Sequence, residues 1–392
     1  MAADGTPFDV AVVGTGVVGL AAALGCAQQG LRVALIGPAP RLWVANGEAP
    51  FDARIYALAA ASIELLESLR AWAKIDAQRV QPITRMQVYG DAGGALSFSA
   101  YAAAVERLAT IVEESELLRV LWLACGFAGA LIHMDASFEA LADGPDASRL
   151  RLSGGRQVNA RLVLGADGKA SAVRAAAGFN VIETPHRQTA VVANFACGEP
   201  HRSVAFQWFT EEGVVALLPL PGEHVSLVWS APQELAVRLL EMPATEFAGR
   251  VAARTGMRLG SLIRLGGAYG FELRDLRVDR IAANRVALLG DAAHVVHPLA
   301  GQGLNLGLQD VSKLLQVLAA REPWRDPGDL VLLRRHERAR AEPVAMMRLT
   351  VNSLSRLFAS SDPRLRWLRN RGLSGVEFSA PVKNALVRRA IG

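Results

Sequence analysis

The chain has 392 residues, of which 51% are hydrophobic and 20% are charged. This composition excludes a disordered chain, and the length excludes a small disulfide scaffold and predicts two or three domains. The formal net charge of +5 is unevenly distributed, because residues 331–392 contain 13 Lys+Arg and 4 Asp+Glu whereas the rest of the chain contains 29 and 33.

The first elements are predicted to be a strand, a helix and a second strand. Residues 8–13 form an apolar run, residues 17–29 an alanine-rich segment closed by Gly30, and residues 31–36 a second apolar run. Two apolar runs joined by a helix predict the opening of a parallel sheet. Residues 10–27 have the length of a membrane span, but their glycines and alanines favour this buried unit, so we predict no membrane-spanning segment.

Glycines follow the first strand in the pattern Gly14-x-Gly16-x-x-Gly19. Such glycines permit a tight turn and close approach of a pyrophosphate, and the helix N-terminus supplies free N–H groups. The pattern therefore predicts a dinucleotide site. At the end of the second strand such sites usually carry an acidic residue that binds the ribose, but this chain has Gly37 there. Arg41 lies nearby, so a site that binds the 2′-phosphate of NADP stays open.

The middle of the chain is predicted to be rich in strands. Residues 150–152 and 157–164 flank Ser-Gly-Gly-Arg, which is typical of a hairpin. Short β-rich runs then follow one another closely and predict an inserted antiparallel sheet: residues 188–196, 203–209, 213–220 and 224–230. From Val311 onward the pattern is helical, with breaks expected at prolines including Pro343.

Two further glycine motifs follow predicted strands. Gly290-Asp291 ends the apolar run 286–289 and leads into a glycine-rich loop, where a carboxylate can bind a polyol and loop N–H groups an anionic ring edge. Asp167-Gly168 follows the strand 162–164 and precedes a helix start that Ser171, and also Asp167, could cap.

With these motifs in this order, the chain resembles the FAD-dependent aromatic-ring monooxygenases of the para-hydroxybenzoate hydroxylase fold, most closely their ubiquinone-biosynthesis branch. Further matches are Asp52-x-Arg54-x-x-Ala57-Leu58, residues 188–194 and residues 217–220, so the resemblance spans about residues 8–350. It implies an α/β (α+β) fold with a Rossmann-like FAD-binding domain (residues 1–80, 100–180 and 275–325), an interleaved antiparallel substrate domain (81–99 and 181–274) and C-terminal helices (326–392).

The resemblance also implies the reaction. NAD(P)H reduces FAD, the reduced flavin and O₂ form a C4a-hydroperoxide, and this species hydroxylates an electron-rich phenol, here a hydrophobic polyprenylated phenol of ubiquinone biosynthesis. The cofactor supplies the difficult chemistry, so the protein needs no side-chain nucleophile. Two other functions stay open: a non-catalytic structural member of a biosynthetic assembly, whose purified protein would be colourless, and another flavin-dependent reductase or halogenase.

Site residues carried over by resemblance are grouped by the part of the cofactor they would contact. The pyrophosphate group comprises Gly14, Gly16, Gly19 and Arg54; the dinucleotide group Asp167 and Gly168; the ribityl group Gly290 and Asp291; the isoalloxazine group Pro298, Gly301, Gln302, Gly303, Leu304 and Asn305. Among the last group Pro298, Gly301 and Gln302 are the candidate catalytic positions.

Two departures weaken the expected cofactor site. Gly37 replaces the ribose-binding acid, and Ser115 stands where the family usually has an Arg or Gln facing the cofactor. Each lost hydrogen bond is worth about 0.5–3 kcal/mol, depending on its charge. We therefore predict an FAD that is readily lost.

Other candidate residues have two interpretations each. Phe206, Trp208 and Phe209 are predicted either to line a substrate cavity, with Pro219 nearby, or to pack in the sheet core. His294 and His297 have the spacing of a metal pair, but without a ligand cluster we predict no metal, and we expect one of the two to hydrogen-bond the main chain of its loop.

The C-terminal arginines are predicted to form an exposed helical face. They are Arg334, Arg335, Arg338, Arg340, Arg364, Arg366, Arg369 and Arg371. A solvated face is the simplest interpretation, and the alternative is contact with anionic lipid or an acidic protein of ubiquinone biosynthesis. No nucleic-acid-binding module accompanies the charge. Three widely spaced cysteines favour a cytoplasmic location, peripheral to the inner membrane if the arginines bind lipid.

Overall fold

The computed structural model describes residues 6–42, 50–91, 93–296, 302–359 and 364. Its strands are β1 (Phe8–Val13), β2 (Val33–Ile36), β3 (Ile55–Leu58), β4 (Val80–Ile83), β5 (Arg85–Tyr89), β6 (Ala95–Ser99), β7 (Ala109–Glu113), β8 (Leu131–Met134), β9 (Phe138–Ala142), β10 (Ser148–Leu152), β11 (Gln157–Gly165), β12 (Val181–Cys197), β13 (Val204–Thr210), β14 (Gly213–Leu220), β15 (His224–Pro232), β16 (Leu262–Val278), β17 (Ala282–Ala283), β18 (Val286–Leu288) and β19 (His294–Val295). The α-helices are α1 (Val17–Gln28), α2 (Ala60–Ser68), α3 (Glu114–Gly126), α4 (Ala172–Ala176), α5 (Gln233–Glu241), α6 (Ala244–Arg254), α7 (Gly303–Ala319) and α8 (Leu330–Ala359).

The first sheet is built around β1 and is mostly parallel. Its order is β17-β18-β11-β1-β2-β8, and β10 and β9 extend it antiparallel from β11. Val10 pairs with Val33 of β2 and with Leu162 of β11, so the predicted strand, helix and strand are confirmed. The predicted hairpin is also confirmed, with Leu150 opposite Val158.

Helix α1 is buried between neighbouring elements. It contacts α3 on one side and α7 on another, and a Cβ on Gly25 would lie 2.3 Å from the Leu315 side chain of α7. Small residues thus let two helices approach closely, which explains the alanine-rich sequence that has the length of a membrane span. Of the helices within the described ranges, none is long and apolar enough to cross a bilayer.

The second sheet is mixed, with an antiparallel centre. Its order is β19-β16-β12-β15-β14-β13-β5-β6, and its four central strands β12 to β15 are the predicted β-rich runs. Strand β12 is longer than predicted, because its first residues pair with the end of β16. Strands β5 and β6 come from residues 85–99 and join the edge beside β13. The division into domains by residue range stays a prediction.

A third sheet and the last helix connect these two layers. The third sheet has the order β3-β7-β4. Helix α8 buries Leu332 and Leu333 against the first core, and Met347 and Val351 of the same helix pack beside Phe209 of the second sheet. The predicted helical structure after Val311 is confirmed in α7 and α8, and residues 360–363 and 365–392 lie outside the described residues. Pro343 lies inside α8 and does not end it.

Candidate cofactor and substrate site

Three glycines shape the turn between β1 and α1, and they differ in what surrounds them. A Cβ on Gly14 would lie 2.2 Å from the Ala166 carbonyl oxygen, and one on Gly19 would lie 2.0 Å from the Gly14 oxygen. A Cβ on Gly16 would meet no atom within 4 Å. Gly14 and Gly19 are therefore required for packing, whereas packing gives no reason for a glycine at position 16.

The N-terminus of α1 has free donors. Gly16 is its N-cap, no side chain caps it, and its first turn contains no acidic residue. The first N–H groups of a helix lack partners within the helix, and the macrodipole adds positive potential there. This cradle fits a pyrophosphate, since the open side of Gly16 lets an anion approach the main chain.

The segment that contains Asp52 and Arg54 is fixed from two sides. The Asp52 carboxylate accepts hydrogen bonds from the N–H groups of Arg54 at 3.0 Å and Ser115 at 3.2 Å, so it caps the start of α3. Asn194 of β12 donates to the carbonyls of Phe51 and Asp52, at 3.2 and 3.0 Å. The Ser115 amide is thus already bonded within the protein.

Arg54 directly precedes β3 of the third sheet and contacts the second sheet through Phe271. Its guanidinium donates to Glu114 at 3.2 Å and lies 4.9 Å from the ring centre of Phe271. Glu114 also accepts from the Tyr56 hydroxyl at 2.9 Å. Burial, reinforced by Glu114, raises the pKa of Tyr56 well above its usual value, so this phenol remains protonated. The sequence analysis did not identify Tyr56 or Glu114, which no motif distinguishes.

Asp167 accepts hydrogen bonds at the start of α4. Its carboxylate accepts from the Ser171 hydroxyl at 2.5 Å and from the Val173 N–H at 3.1 Å, while Ser171 accepts from the Arg174 N–H. The capping interpretation is therefore confirmed. Gly168 follows in the same turn, and any contact of this pair with a dinucleotide stays a prediction.

Asp291 is an exposed residue of the Gly290-Asp291 turn. Nearby protein partly desolvates its carboxyl and raises its pKa, an effect opposed by His294, Lys169 and Arg54. Arg54 and Lys169 are thus close enough to act on this carboxyl, and we call the space between their segments and the Gly290-Asp291 turn the cleft. The preceding Gly290 donates its N–H to Asp310. This environment suits a carboxylate that binds hydroxyl groups of a ligand.

The predicted isoalloxazine loop is described only in part. Pro298, Gly301 and His297 lie outside the described residues. Gln302 is the N-cap of α7, and Gly303 and Leu304 begin that helix, so free N–H groups are expected there.

The Asn305 side chain is occupied by the protein. Its Oδ1 accepts from the Ala59 N–H at 2.9 Å and the Ser62 hydroxyl at 2.7 Å, and its Nδ2 donates to the Ala57 carbonyl at 2.8 Å. Asn305 therefore joins α7 to β3 and α2. A cofactor contact from this residue would have to use its main chain.

His294 is bonded to a carboxylate. Its Nε2 lies 2.7 Å from Asp310 Oδ2, so the partner of His294 is a side chain and not the loop main chain that was predicted for one of the two histidines. Within the described ranges, no group of three or more His, Cys, Asp and Glu side chains is placed to hold a metal ion.

The second sheet has one face covered by helices and one turned toward the 51–58 segment. Phe195 of β12 packs in one core with Phe247 of α6. Successive side chains of a strand point to opposite faces, so Val192 and Asn194 point the other way, and Asn194 contacts the 51–58 segment. We call this second side the inner face.

The centre of the inner face carries uncharged side chains. Directly opposed residues of neighbouring strands share a face, and the register places on the inner face Ala190, Val192, Ala216, Val228, Tyr269 and Phe271. Tyr269 is 50% exposed, and Arg54 covers Phe271. The inner face therefore offers a mostly apolar wall beside the Arg54 end of the cleft.

Two of the predicted substrate residues point away from this wall. Phe206 lies in the core beneath α5 and α6, and Trp208 stacks between Phe206 and Tyr89, at centroid distances of 5.7 and 5.4 Å. This corrects the cavity interpretation of Phe206 and Trp208: they belong to the helix-covered face. Phe209 points to the inner face but is buried in a cluster with α8. Pro219 is buried in β14.

Gly37 directly follows β2 and has a conformation that few other residues adopt. Its φ is +146°, and an added Cβ would lie 3.1 Å from the Thr15 side chain. Its carbonyl accepts a hydrogen bond from His133 Nε2 at 2.8 Å. The structure thus explains the glycine by local geometry, and Thr15 and His133, which the sequence analysis missed, are its neighbours.

The C-terminal arginines do not all share one exposed face. Arg340 is 5% exposed and donates to Asp310 at 2.6 Å, which corrects its predicted exposure. Arg335 is bonded to Glu322 at 2.6 Å. Exposed are Arg334, Arg338 and Arg364. Outside the described residues lie Arg366, Arg369 and Arg371.

Comparison with known proteins adds independent information. A family model described as "FAD binding domain" matches residues 7–348. The chain is 34% identical over 389 residues to ubiquinone hydroxylase UbiL of Rhodospirillum rubrum, covering 98% of this chain and 89% of the relative. It is 33% identical to 3-demethoxyubiquinol 3-hydroxylase of Escherichia coli, covering 98% and 99%.

Solved structures share the fold. PqsL of Pseudomonas aeruginosa, solved with 2-aminobenzoylacetate, superposes with a TM-score of 0.76 at 25% identity, covering 94% of this chain and all of that one. The p-nitrophenol 4-monooxygenase PnpA of Pseudomonas putida has a TM-score of 0.79 at 17% identity, with 98% of each chain covered. The second similarity concerns the fold alone.

Proposed function

This chain belongs to the FAD-binding-domain family and is an FAD-dependent hydroxylase, and from this premise we propose that it hydroxylates the ring of a polyprenylated phenol in ubiquinone biosynthesis, with NAD(P)H and O₂ as co-substrates. Two relatives that match it over nearly their whole length are named for ubiquinone or demethoxyubiquinol hydroxylation. Family membership favours this enzyme over a non-catalytic structural subunit.

The apolar inner face is the observation that supports the substrate class. Its central positions hold Val192, Ala216 and Val228, side chains that favour an uncharged ring and an isoprenoid tail by burying apolar surface. A benzoate-type substrate would need a cation to offset burial of its carboxylate. The Arg54 guanidinium at the edge of this face is already paired with Glu114.

In this proposal, the residues of the chain bind and orient. The N-terminus of α1 would hold the pyrophosphate, Asp291 would accept hydrogen bonds from the ribityl chain, and the N–H groups of Gly303 and Leu304 would be donors to the polar edge of the ring. When bound, FAD supplies the activation of O₂ after reduction by NAD(P)H. The inner face holds the phenol and excludes water, and no side-chain nucleophile takes part.

Substrate selectivity tests this proposal. Protein saturated with FAD is mixed with NADH or NADPH and either a short-chain prenylphenol or 4-hydroxybenzoate, and nicotinamide oxidation is followed by absorbance. We expect the prenylphenol to accelerate oxidation and 4-hydroxybenzoate to have little effect. Acceleration by 4-hydroxybenzoate alone would contradict the assignment.

We also propose that FAD is held weakly, and the first prediction concerns Gly37. An acid at this position would normally bind the adenosine ribose, but Gly37→Glu would place a side chain at φ +146° beside Thr15. A residue forced into such a region costs on the order of 1–3 kcal/mol. We therefore expect Gly37→Glu to lower the thermal stability of the apoprotein without tightening FAD binding.

Fluorescence titration with FAD and thermal unfolding of the apoprotein measure the two effects. The wild-type protein is expected to bind FAD in the micromolar range, about one to three orders of magnitude more weakly than with two additional polar contacts. Low-nanomolar binding by the wild type would contradict the weak cofactor site, and tighter binding by Gly37→Glu would show that the main chain at position 37 accommodates an acid.

We propose in addition that the protein is cytoplasmic and contacts anionic lipid through exposed arginines of α8, which would bring it to a hydrophobic substrate. Arg334 and Arg338 line a shallow groove on α8 together with Val331 and Glu337. The Glu337 carboxylate accepts the Ile281 N–H, which ties this helix to the cofactor domain. The groove therefore has a fixed orientation relative to the body of the protein.

The second prediction tests this surface. Replacing both Arg334 and Arg338 with Gln should weaken binding to phosphatidylglycerol vesicles by about thirtyfold at low salt, since each arginine near an anionic surface contributes about 1 kcal/mol. Vesicle sedimentation measures the change, and FAD affinity should not move. The control replaces Arg149 and Arg151, which are exposed on β10, with Gln. If both double variants lost the same amount of vesicle binding, the effect would be one of general charge and not of this surface.

A further inference from the structure

A buried carboxylate lies directly beneath the Gly290-Asp291 turn. Asp310 of α7 has no exposed surface. Its Oδ2 accepts hydrogen bonds from the Gly290 N–H at 3.0 Å and from His294 Nε2 at 2.7 Å, and its Oδ1 accepts from Arg340 Nε at 2.6 Å. One carboxylate therefore joins the strand end of the cofactor site to the C-terminal helix α8.

The surroundings keep this carboxylate ionised. Burial works against ionisation, but His294 and Arg340 overcome it and lower the pKa of Asp310 to about 2. His336 of α8 is also fully buried, and burial lowers its pKa to about 4, so it is neutral at physiological pH. Lys313 of α7 acts on His336 from a greater distance. Among the described groups, Arg340 is thus the permanent cation in contact with Asp310.

Arg340 is held in place by more than this ion pair. It is 5% exposed and also donates to the Leu306 carbonyl at 3.3 Å and to the Gln309 side chain at 3.3 Å. These contacts fix the guanidinium against two turns of α7. Helix α8 therefore places a fixed positive charge two hydrogen bonds away from Gly290, with Asp310 between them.

We propose that Arg340 is a positioning residue for FAD: it holds Asp310 in place, and Asp310 fixes the Gly290 amide and with it the direction of the Asp291 carboxylate. The turn has little freedom to adjust otherwise, because a Cβ on Gly307 of α7 would lie 3.1 Å from Gly290 Cα and 2.8 Å from the Val18 side chain of α1. A shift of Asp310 would thus move Asp291 relative to the pyrophosphate cradle. Helix α8 becomes part of the cofactor site although it carries no residue of the FAD motifs.

The test compares two arginines of the same helix in the full-length protein. Arg340→Gln should raise the dissociation constant for FAD at pH 8 by about tenfold or more, since it leaves a buried carboxylate without its cation. Arg335→Gln, which breaks a half-exposed pair with Glu322, should change it less than about twofold. Quenching of flavin fluorescence measures both. Equal dissociation constants for the two variants would overturn the proposal.

A second readout separates positioning from general loss of stability. The double variant Asp310→Asn with Arg340→Gln contains no unpaired charge and should bind FAD more tightly than Arg340→Gln alone. A double variant as weak as the single variant would indicate a structural role only.

Arg340→Lys keeps the proposal testable if Arg340→Gln does not fold. It retains the charge with fewer donors, so FAD affinity should lie within about threefold of the wild type, and a loss as large as about tenfold would contradict a role that depends on charge. The inference rests on the proposed function only in requiring FAD. A wild type without FAD binding would overturn the function, whereas an unaffected Arg340→Gln would overturn this inference alone.

Discussion

Replacing Asp291 with alanine is expected to weaken FAD binding by about a hundredfold while leaving the apoprotein at least as stable as the wild type. A hydrogen bond to a charged group is worth about 1.5–3 kcal/mol, and each 1.4 kcal/mol is a factor of ten in affinity. One or two bonds from the carboxylate to ribityl hydroxyl groups therefore account for the loss.

The expected stability follows from the sign of the pKa shift. The pKa of Asp291 is raised in the folded protein, with desolvation as the main cause. The folded state thus holds the proton more tightly than the unfolded state, so the ionised carboxylate above this pKa opposes folding. Removing it at neutral pH should stabilise the apoprotein slightly or have no effect. If the Asp291 carboxylate were required for the fold, Asp291→Ala would instead lower the stability of the apoprotein.

Fluorescence titration and thermal unfolding, each with and without FAD, measure these effects. The control is Glu139→Ala, which removes an exposed carboxylate from β9, outside the cleft. Its FAD affinity should equal that of the wild type. If Asp291→Ala bound FAD like the wild type, the carboxylate would have no part in the cofactor site.

Alanine substitutions at Gly16 and Gly19 are expected to separate cofactor binding from folding. Gly16→Ala adds a Cβ that meets no atom within 4 Å, at an N-cap with an ordinary φ of −74°. It should cost the apoprotein at most about 1 kcal/mol, the usual size of an N-cap effect. A pyrophosphate that approaches the Gly16 main chain would collide with the new methyl group, so FAD affinity should fall by about ten- to a hundredfold.

Gly19→Ala should instead damage the fold. Its Cβ would lie 2.0 Å from the Gly14 carbonyl oxygen, a main-chain atom that cannot move without shifting α1 away from β1. Overpacking of this kind costs about 1–3 kcal/mol or more. We expect a clearly lowered melting temperature for apo Gly19→Ala and an almost unchanged one for apo Gly16→Ala. Tight FAD binding by Gly16→Ala would show that the pyrophosphate does not bind at this turn.

Local patterns predicted the first sheet well. The β1, α1 and β2 unit is encoded by apolar runs and by glycines whose packing role is visible in the structure. The β10–β11 hairpin has its own turn sequence. Such elements are specified by neighbouring residues, which a single sequence displays directly.

Long-range geometry could not be predicted in the same way. Phe206 and Trp208 have the composition of a cavity wall, but which face of a strand meets a helix depends on elements far along the chain. Arg340 has the spacing of an exposed helical arginine, and its burial depends on Asp310, 30 residues earlier. Pro343 lies within α8, where tertiary packing on both sides supports the helix.

Several motif residues use their side chains to bind main-chain groups of the protein. Asp167 and Asn305 were predicted near the cofactor because they occur in its motifs, and Asp52 belongs to a further segment that matches the family. In the structure the side chains of Asp52, Asp167 and Asn305 cap α3, cap α4 and join α7 to α2, respectively. The motifs thus mark residues that hold the cradle as well as residues that face it, and sequence spacing alone does not distinguish the two.

Oxygen-isotope labelling of the product distinguishes a monooxygenase from other flavin-dependent enzymes. Protein reconstituted with FAD is incubated with NAD(P)H and a prenylphenol under ¹⁸O₂, and the product is analysed by mass spectrometry. We expect a new ring hydroxyl that carries one ¹⁸O atom, with none when ¹⁸O is supplied only in water. Oxidation of NAD(P)H without labelled product, or the absence of a flavin spectrum at saturating FAD, would contradict this expectation.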